Sequence, residues 1–283
     1  MMTALIHPTA VIDPGAELAD GVRVGAHAVI GARVVVGSGT EVGAAAQIQG
    51  PTRIGAGNRI FPHAAIGFEP QDLTYAGEEV FLEVGDRNQF REFTTVNRGT
   101  AKGGGVTRIG DDNLFLAYSH VGHDAQVGSR TLFVNNATLA GHVEVGDDAT
   151  IGAFSAVHQW CRVGRHAYVG GYTVVTMDAL PFVKTVGYKA TCYGLNVIGL
   201  RRKGIDRDTV RRLDQALRLL LHSGLNSSQA VEAMRRELAG EPEVEYLVEF
   251  VTSSRRGFVK RLPGHRAGRG AADEDDGDDG DDG

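Results

Sequence analysis

Cysteine is scarce in this chain: Cys161 and Cys192 are the only two in 283 residues. That is too few for a disulfide-stapled secreted fold, and each reads as a small buried filler. Aromatic residues make up 7% of the chain, so its core must be built mainly from aliphatic side chains. No apolar run approaches the roughly 20 residues of a membrane-spanning helix. Residues 1–10 lack the charged and apolar regions of a secretory signal. Charge of one sign is missing from most of the chain as well. The formal net charge of −6 comes from Asp273–Gly283, which holds eight acidic side chains and leaves +2 for the rest. Basic residues are not interleaved with aromatic ones, which argues against nucleic acid as a partner. These absences predict a soluble, cytoplasmic protein with an acidic, disordered end at 263–283.

Glycine is abundant, at 39 residues, and it follows a period. An aliphatic or phenylalanine side chain returns every sixth position from Ile6 through Ile66, resumes at Val84, Phe90 and Val96, slips, and runs again from Ile109 to Val175. Glycine often comes next, as at Gly25, Gly43, Gly122, Gly128 and Gly152. Each unit is therefore expected to turn a corner there, where a side chain or its φ limits would interfere. A six-residue period fits neither a helix of 3.6 residues per turn nor one long strand of period two. It fits a parallel β-helix whose three short sides make an 18-residue coil. The 26 aliphatic positions amount to between eight and nine coils.

Three regions are predicted: a prism over 1–180 closed by Pro181, a helical region over 181–262, and the tail. Two segments break the beat and should project as loops, 68–81 and 97–108. The second carries Gly103, Gly104 and Gly105, which suggests an external, flexible loop. Beyond the prism, Asp206 can cap a helix running to Ser223, Asn226 and Gln229 have the spacing of a capping box, and Pro242 opens a further helix.

Four of the ten histidines, His120, His123, His142 and His158, fall in one part of the prism. Coil arithmetic puts 141 over His123 and 160 over His142, suggesting a stack of imidazoles on one edge. A β-helix core needs no histidine, so this recurrence points to chemistry, although histidines on a polar edge need not be functional. Zinc would require three or four nitrogen or sulfur ligands at about 2.1–2.3 Å, as in hexapeptide-repeat carbonic anhydrases. A general base would require one histidine beside a hydroxyl, with its tautomer fixed by an acidic neighbour such as Asp124. Spacing does not separate the two.

The segments QDLTYAGE (71–78), HVGHD (120–124), NNATLAGHVEVGDDATIGAFSAVHQ (135–159), VGG (169–171) and GLNVIGLRR (194–202) together resemble the UDP-N-acetylglucosamine O-acyltransferases, which catalyse the first step of lipid A synthesis. The resemblance covers residues 1 to about 262. It implies a left-handed coil, a homotrimer with sites between neighbouring prisms, and no cofactor or metal. It also implies transfer of a 3-hydroxyacyl group from acyl carrier protein to the sugar 3-hydroxyl. His123 would be the base, Asp124 its support, and the Gly141 N–H the oxyanion donor. Asp72, His120, His142, Gln159, Asn196 and Arg202 would contact substrate, while Tyr168 and Gly171 would set acyl length. The cysteines would be spectators. Arg201, Arg202, Lys203, Arg211, Arg212, Arg255 and Arg256 offer a surface for the acidic carrier, or simply a solvated basic face.

Three positions depart from the family pattern. Thr74 replaces a lysine, Asn97 a histidine, and Ile198 an acidic residue. They bear on ligand contacts, including whether the acceptor carries a 3-hydroxyl or a 3-amino group. The related N-acyltransferase of the same pathway has a uridine-binding domain before its repeats, for which a repeat starting at Ile6 leaves no room. A zinc hydratase and a non-catalytic scaffold are the alternatives of other classes.

Overall fold

The computed structural model describes residues 4–260; the acidic tail expected at 263–283 lies outside them. Each of the 26 periodic positions falls in its own short strand, from Leu5–Ile6 to Val174–Val175. Successive strands visit three faces in turn, giving parallel sheets whose orders advance by three strands at each step. One coil is 18 residues, as the Leu5↔Arg23 and Ile6↔Val24 register shows. The loops appear as longer steps in the same ladder: Ile60 pairs with Phe90, and Phe90 with Phe115. The ladder absorbs both insertions because the extra residues are extruded at corners, and the inward row never changes side.

That inward row is the core, running from Val22 to Ala179. At mid-prism it widens to stacked Phe90, Phe115 and Phe133, with ring centroids 4.9 and 4.7 Å apart. Each such buried side chain contributes about 1.5–3 kcal/mol by leaving water. A buried asparagine column keeps the coils in register across the insertions. Asn58 Oδ1 accepts from the Asn88 N–H at 2.8 Å, Asn88 Oδ1 from the Asn113 N–H at 2.9 Å, and Asn113 Oδ1 from the Thr131 N–H at 2.8 Å.

Apart from Gly67 (φ 75°), the glycines that follow the periodic residue serve crowding rather than φ. A Cβ on Gly122 would lie 2.8 Å from the Leu139 carbonyl oxygen, and one on Gly152 2.6 Å from the backbone of the next coil. The left-handed residue comes two positions later and is mostly not glycine: Asp124 (φ 60°), His142 (62°) and Trp160 (65°) form one such column. Expecting the glycine itself to take the unusual φ is therefore corrected for this column. This corner is made of side chains that accept a left-handed backbone, as Asp and His do more readily than β-branched residues.

Pro181 does not end the first face. Val183–Val186 adds to it in parallel beside Tyr168–Val169, and Thr191–Leu195 then pairs antiparallel. A second core begins at Leu180 and is enclosed by helices α1 (Val197–Arg202), α2 (Arg207–Leu221), α3 (Ser227–Glu237) and α4 (Pro242–Thr252). Asp206 caps α2, and Asn226 with Gln229 forms a complete capping box on α3. Arg162 joins the two cores, donating to Asp178 at 2.9 Å and to the Phe250 carbonyl at 2.7 Å. No helix among the described residues is long and apolar enough to cross a membrane.

Candidate active site

The corner between the second and third faces carries a compact cluster of titratable side chains. His120–Val121 lies on the second face and Gln126–Val127 on the third; His123 and Asp124 occupy the turn between them. The Asp124 side chain is buried, and three donors converge on it. The Thr100 N–H reaches Oδ1 at 2.7 Å, the Thr100 hydroxyl reaches Oδ2 at 2.7 Å, and His123 Nδ1 lies 2.8 Å from Oδ2. Its own N–H donates to Thr107 Oγ1 at 2.8 Å. A carboxylate only accepts, so His123 Nδ1 carries the proton and Nε2 keeps its lone pair. That is the tautomer a general base requires.

Glycine is required beneath the ring. A Cβ on Gly141 would lie 2.3 Å from His123 Cε1 and 2.5 Å from Nε2. Its N–H also does not join the backbone ladder as those of Ala140 and His142 do, which leaves it as a donor for another partner. Gly103 is similarly constrained, since a Cβ there would meet the Asp124 carboxyl carbon at 2.0 Å.

Two other imidazoles flank His123. His142 stands edge-on to His123, with ring centroids 5.0 Å apart, and stacks on Trp160 at 3.8 Å. His142 Nδ1 is 3.6 Å from Asp124 Oδ2, beyond a hydrogen bond. His120 Nδ1 contacts Thr95 Oγ1 at 2.7 Å. Burial holds both flanking imidazoles below the usual histidine range; His123 reinforces this, and for His142 the Asp124 charge opposes it. Near neutral pH they are therefore uncharged hydrogen-bonding groups.

His123, Asp124 and His142 are also compact enough to hold a metal ion, with candidate ligand atoms within 4.8 Å of one another. Yet the His123 Nδ1 faces Asp124 Oδ2 at hydrogen-bond distance, and Thr100 occupies both carboxylate oxygens. These contacts are those of a hydrogen-bonded dyad.

The two loops meet over this corner. Asp72 Oδ1 accepts from the Thr74 N–H and hydroxyl, both at 2.8 Å, and Lys102 Nζ donates to Thr74 Oγ1 at 2.9 Å. Asp72 is held below the usual carboxylate range chiefly by the Thr74 hydrogen bonds, with His123 and Lys102 adding to the effect. A cation thus stands at Thr74 even though lysine is absent from that position. Asn97, the second departure, ties the loops together by donating to the Glu69 carbonyl at 2.6 Å. The segment 97–100 is buried rather than external, because Arg98 Nη1 donates to the Gly50 and Gly67 carbonyls, each at 2.7 Å. Only the later, glycine-rich part of that loop matches the external loop expected from sequence.

The fold brings His120, His123, Asp124, Gly141 and His142 together, with Asp72 close enough to act on His123 and His142 electrostatically. The expected stack of four imidazoles is not formed. Trp160 takes the place over His142, while exposed His158 turns to the Gln159 carbonyl at 3.0 Å. Gln159 is exposed on the same edge. Asn196 caps α1 and reaches the His166 carbonyl at 3.3 Å, so it sits by the corner between the third and first faces. Arg202 is exposed at the end of α1, and Ile198 is exposed on it. Tyr168 and Gly171 lie toward the corner between the first and second faces. Within one chain, the expected base, nucleotide contacts and acyl-length residues therefore occupy three different corners. The basic surface is partly neutralised: Lys203 pairs with Asp148, Arg211 with Asp208 and Arg212 with Glu241. Nothing in the sequence pattern alone assigns Thr100, Thr107, Gly103, Lys102 or Trp160 to the site. Trp160 was within reach of the 18-residue arithmetic; the others lie in the segment where the beat slips.

Residues 178–259 match the second domain of UDP-N-acetylglucosamine O-acyltransferase, and residues 3–38 and 142–176 match the bacterial transferase hexapeptide repeat. The acyl-[acyl-carrier-protein]–UDP-N-acetylglucosamine O-acyltransferase of Anaeromyxobacter sp. (strain K) is 48% identical over 191 residues, covering 68% of this chain and 74% of that protein. The protein of the same name from Burkholderia orbicola is 44% identical over 212 residues, covering 73% and 80%. The solved UDP-N-acetylglucosamine O-acyltransferase of Moraxella catarrhalis superposes with a TM-score of 0.87 at 40% identity, over 90% of this chain and 99% of that one. The chain, a left-handed parallel β-helix with a helical C-terminal region, belongs to the UDP-N-acetylglucosamine O-acyltransferase family.

Proposed function

We propose that this protein transfers a 3-hydroxyacyl chain from acyl carrier protein to the 3-hydroxyl of UDP-N-acetylglucosamine, the first step of lipid A biosynthesis, in the cytoplasm. His123 carries the reading: Asp124 orders its tautomer, and its Nε2 is free above Gly141. Nε2 takes the proton from the sugar 3-hydroxyl as that oxygen attacks the thioester carbon. The Gly141 N–H receives the charge that develops on the carbonyl oxygen. Collapse breaks the carbon–sulfur bond, and the imidazolium returns its proton to the departing thiolate. The products are a 3-O-acyl sugar nucleotide and carrier protein with a free phosphopantetheine thiol. The thioester is already activated, so the step needs no cofactor and no covalent acyl-enzyme.

Asp72 holds the glucosamine ring, with His120, His142 and Gln159 contacting the sugar, acyl chain or diphosphate. Asn196 and Arg202 bind the nucleotide; an arginine fork matches a diphosphate. Tyr168 and Gly171 bound the acyl chain. Because these groups occupy different corners of one prism, a homotrimer that brings corners of neighbouring subunits together completes each site. Mass spectrometry of products formed from 3-hydroxyacyl carrier proteins and UDP-N-acetylglucosamine, without added metal, tests the reading. A base-labile monoacylated nucleotide sugar is expected. Product only from the 3-amino analogue would reassign the reaction to amide formation, and none from either sugar would remove the acyltransferase reading.

A further inference from the structure

Lys102 is the cation of the candidate site that the mechanism leaves unused. It lies in the short 3-10 turn Ala101–Gly103, directly before the glycine that packs on Asp124. Its ammonium spans the gap between the loops to Thr74 Oγ1 at 2.9 Å, and the same hydroxyl donates to Asp72 Oδ1 at 2.8 Å. The neighbouring cations are committed elsewhere. Arg98 is buried against the Gly50 and Gly67 carbonyls, and Arg108 pairs with Glu83. Lys102 is exposed, and an ammonium has three donors, so its contact with Thr74 leaves two for a ligand. Asp72 and Lys102 thus form a joined acceptor and donor pair at the mouth of the catalytic corner. A ring bearing several hydroxyls and an acetamido carbonyl needs both.

We propose that Lys102 is a positioning residue for the acceptor, its ammonium held beside Asp72 by Thr74 so that it binds an oxygen of the sugar nucleotide. This rests on the assignment of Asp72 to the sugar ring under the proposed reaction. The cation is the operative feature; the Thr74 hydroxyl aims it. A lysine at position 74 would project into the same place and could replace it.

The test is steady-state kinetics, varying each substrate in turn, for native protein, Lys102→Gln, Thr74→Val and the double variant Thr74→Lys/Lys102→Gln. Lys102→Gln is expected to raise KM for the sugar nucleotide about tenfold, the loss of one modest polar contact. Its kcat should stay within about threefold of native and KM for the acyl donor should not change. Thr74→Val should have a smaller effect, and the double variant should return KM to within about threefold of native. Native KM in Lys102→Gln would overturn the inference. Equal losses in Lys102→Gln and Thr74→Val, with no recovery in a double variant of native melting temperature, would overturn it in favour of a loop clasp. Because native protein is assayed in parallel, absence of native turnover marks failure of the proposed reaction, whereas turnover insensitive to Lys102 marks failure of this inference alone.

Discussion

Replacing Asp124 with Asn changes one heavy atom and should move the proton of His123 from Nδ1 to Nε2. Asp124 Oδ1 accepts from the Thr100 backbone N–H at 2.7 Å, while Oδ2 serves the Thr100 hydroxyl and His123 Nδ1 at 2.7 and 2.8 Å. An asparagine must keep its oxygen toward the backbone N–H, since that donor cannot become an acceptor. Its NH2 then faces the hydroxyl, which can rotate to accept, and the imidazole, which can accept only by placing its proton on Nε2. The ring keeps its position and loses its lone pair toward substrate. Removing general-base catalysis costs about 10²–10⁴ in rate, or roughly 3–5 kcal/mol of barrier at 1.36 kcal/mol per decade. All hydrogen bonds remain possible, so the melting temperature should change little. The assay is kcat for acyl transfer combined with ¹⁵N NMR of His123. A variant that keeps more than about a tenth of native turnover, or whose His123 still carries its proton on Nδ1, would refute the reasoning.

Other expectations follow from neighbouring contacts. Gly141→Ala would place a Cβ 2.3 Å from His123 Cε1, so the ring must swing away; kcat should fall by about 10²-fold or more, and a native rate would show that the ring does not rest there. Gly171 is open by comparison, the nearest atom to an added Cβ being the Ala153 carbonyl at 3.3 Å. Gly171→Met should fold and shift the preferred acyl chain shorter, whereas an unchanged chain profile on mass spectrometry would remove it from the acyl groove. Trp160, the only tryptophan, stacks on His142 at 3.8 Å, so its emission should be quenched as that imidazole protonates. Burial depresses the His142 pKa, so quenching should develop below the usual histidine range and vanish in His142→Gln. The same depression at His120 and His142 means that the unfolded chain binds protons the folded chain refuses. Stability should therefore fall as pH drops from about 6.5 toward the folded pKa values, and be flat above it; melting temperatures across that window check the sign.

The architecture was legible because one physical constraint repeats. Past the first coil every turn must bury one side chain per face, so Val24 through Val175 wrote their strands into the sequence, and Asp206, Asn226 and Pro242 marked helix starts by local hydrogen bonding and φ preference alone. The site was legible where it shares that register: Gly141 and His142 stand 18 residues beyond His123 and Asp124, while the roles of these residues came from the family resemblance. It was opaque where the register breaks. Thr100 and Lys102 lie in an insertion whose path is set by buried Arg98 and Asn97, contacts that no periodicity encodes. The four-histidine stack failed for a related reason. Position within the six-residue unit decides which way a side chain points, so Trp160 lies over His142 and His158 turns away. Pro181 misled because proline bars further helix or ladder donation only at its own position, and the first face resumes at Val183.

The proposed role of His123 as the base is tested most directly by turnover of His123→Ala beside native protein with 3-hydroxyacyl carrier protein and UDP-N-acetylglucosamine. The side chain covers Gly141 but takes no part in the aliphatic core, so the variant should keep its melting temperature and oligomeric state while losing at least about 10²-fold in kcat. Near-native turnover in the folded variant would contradict the account.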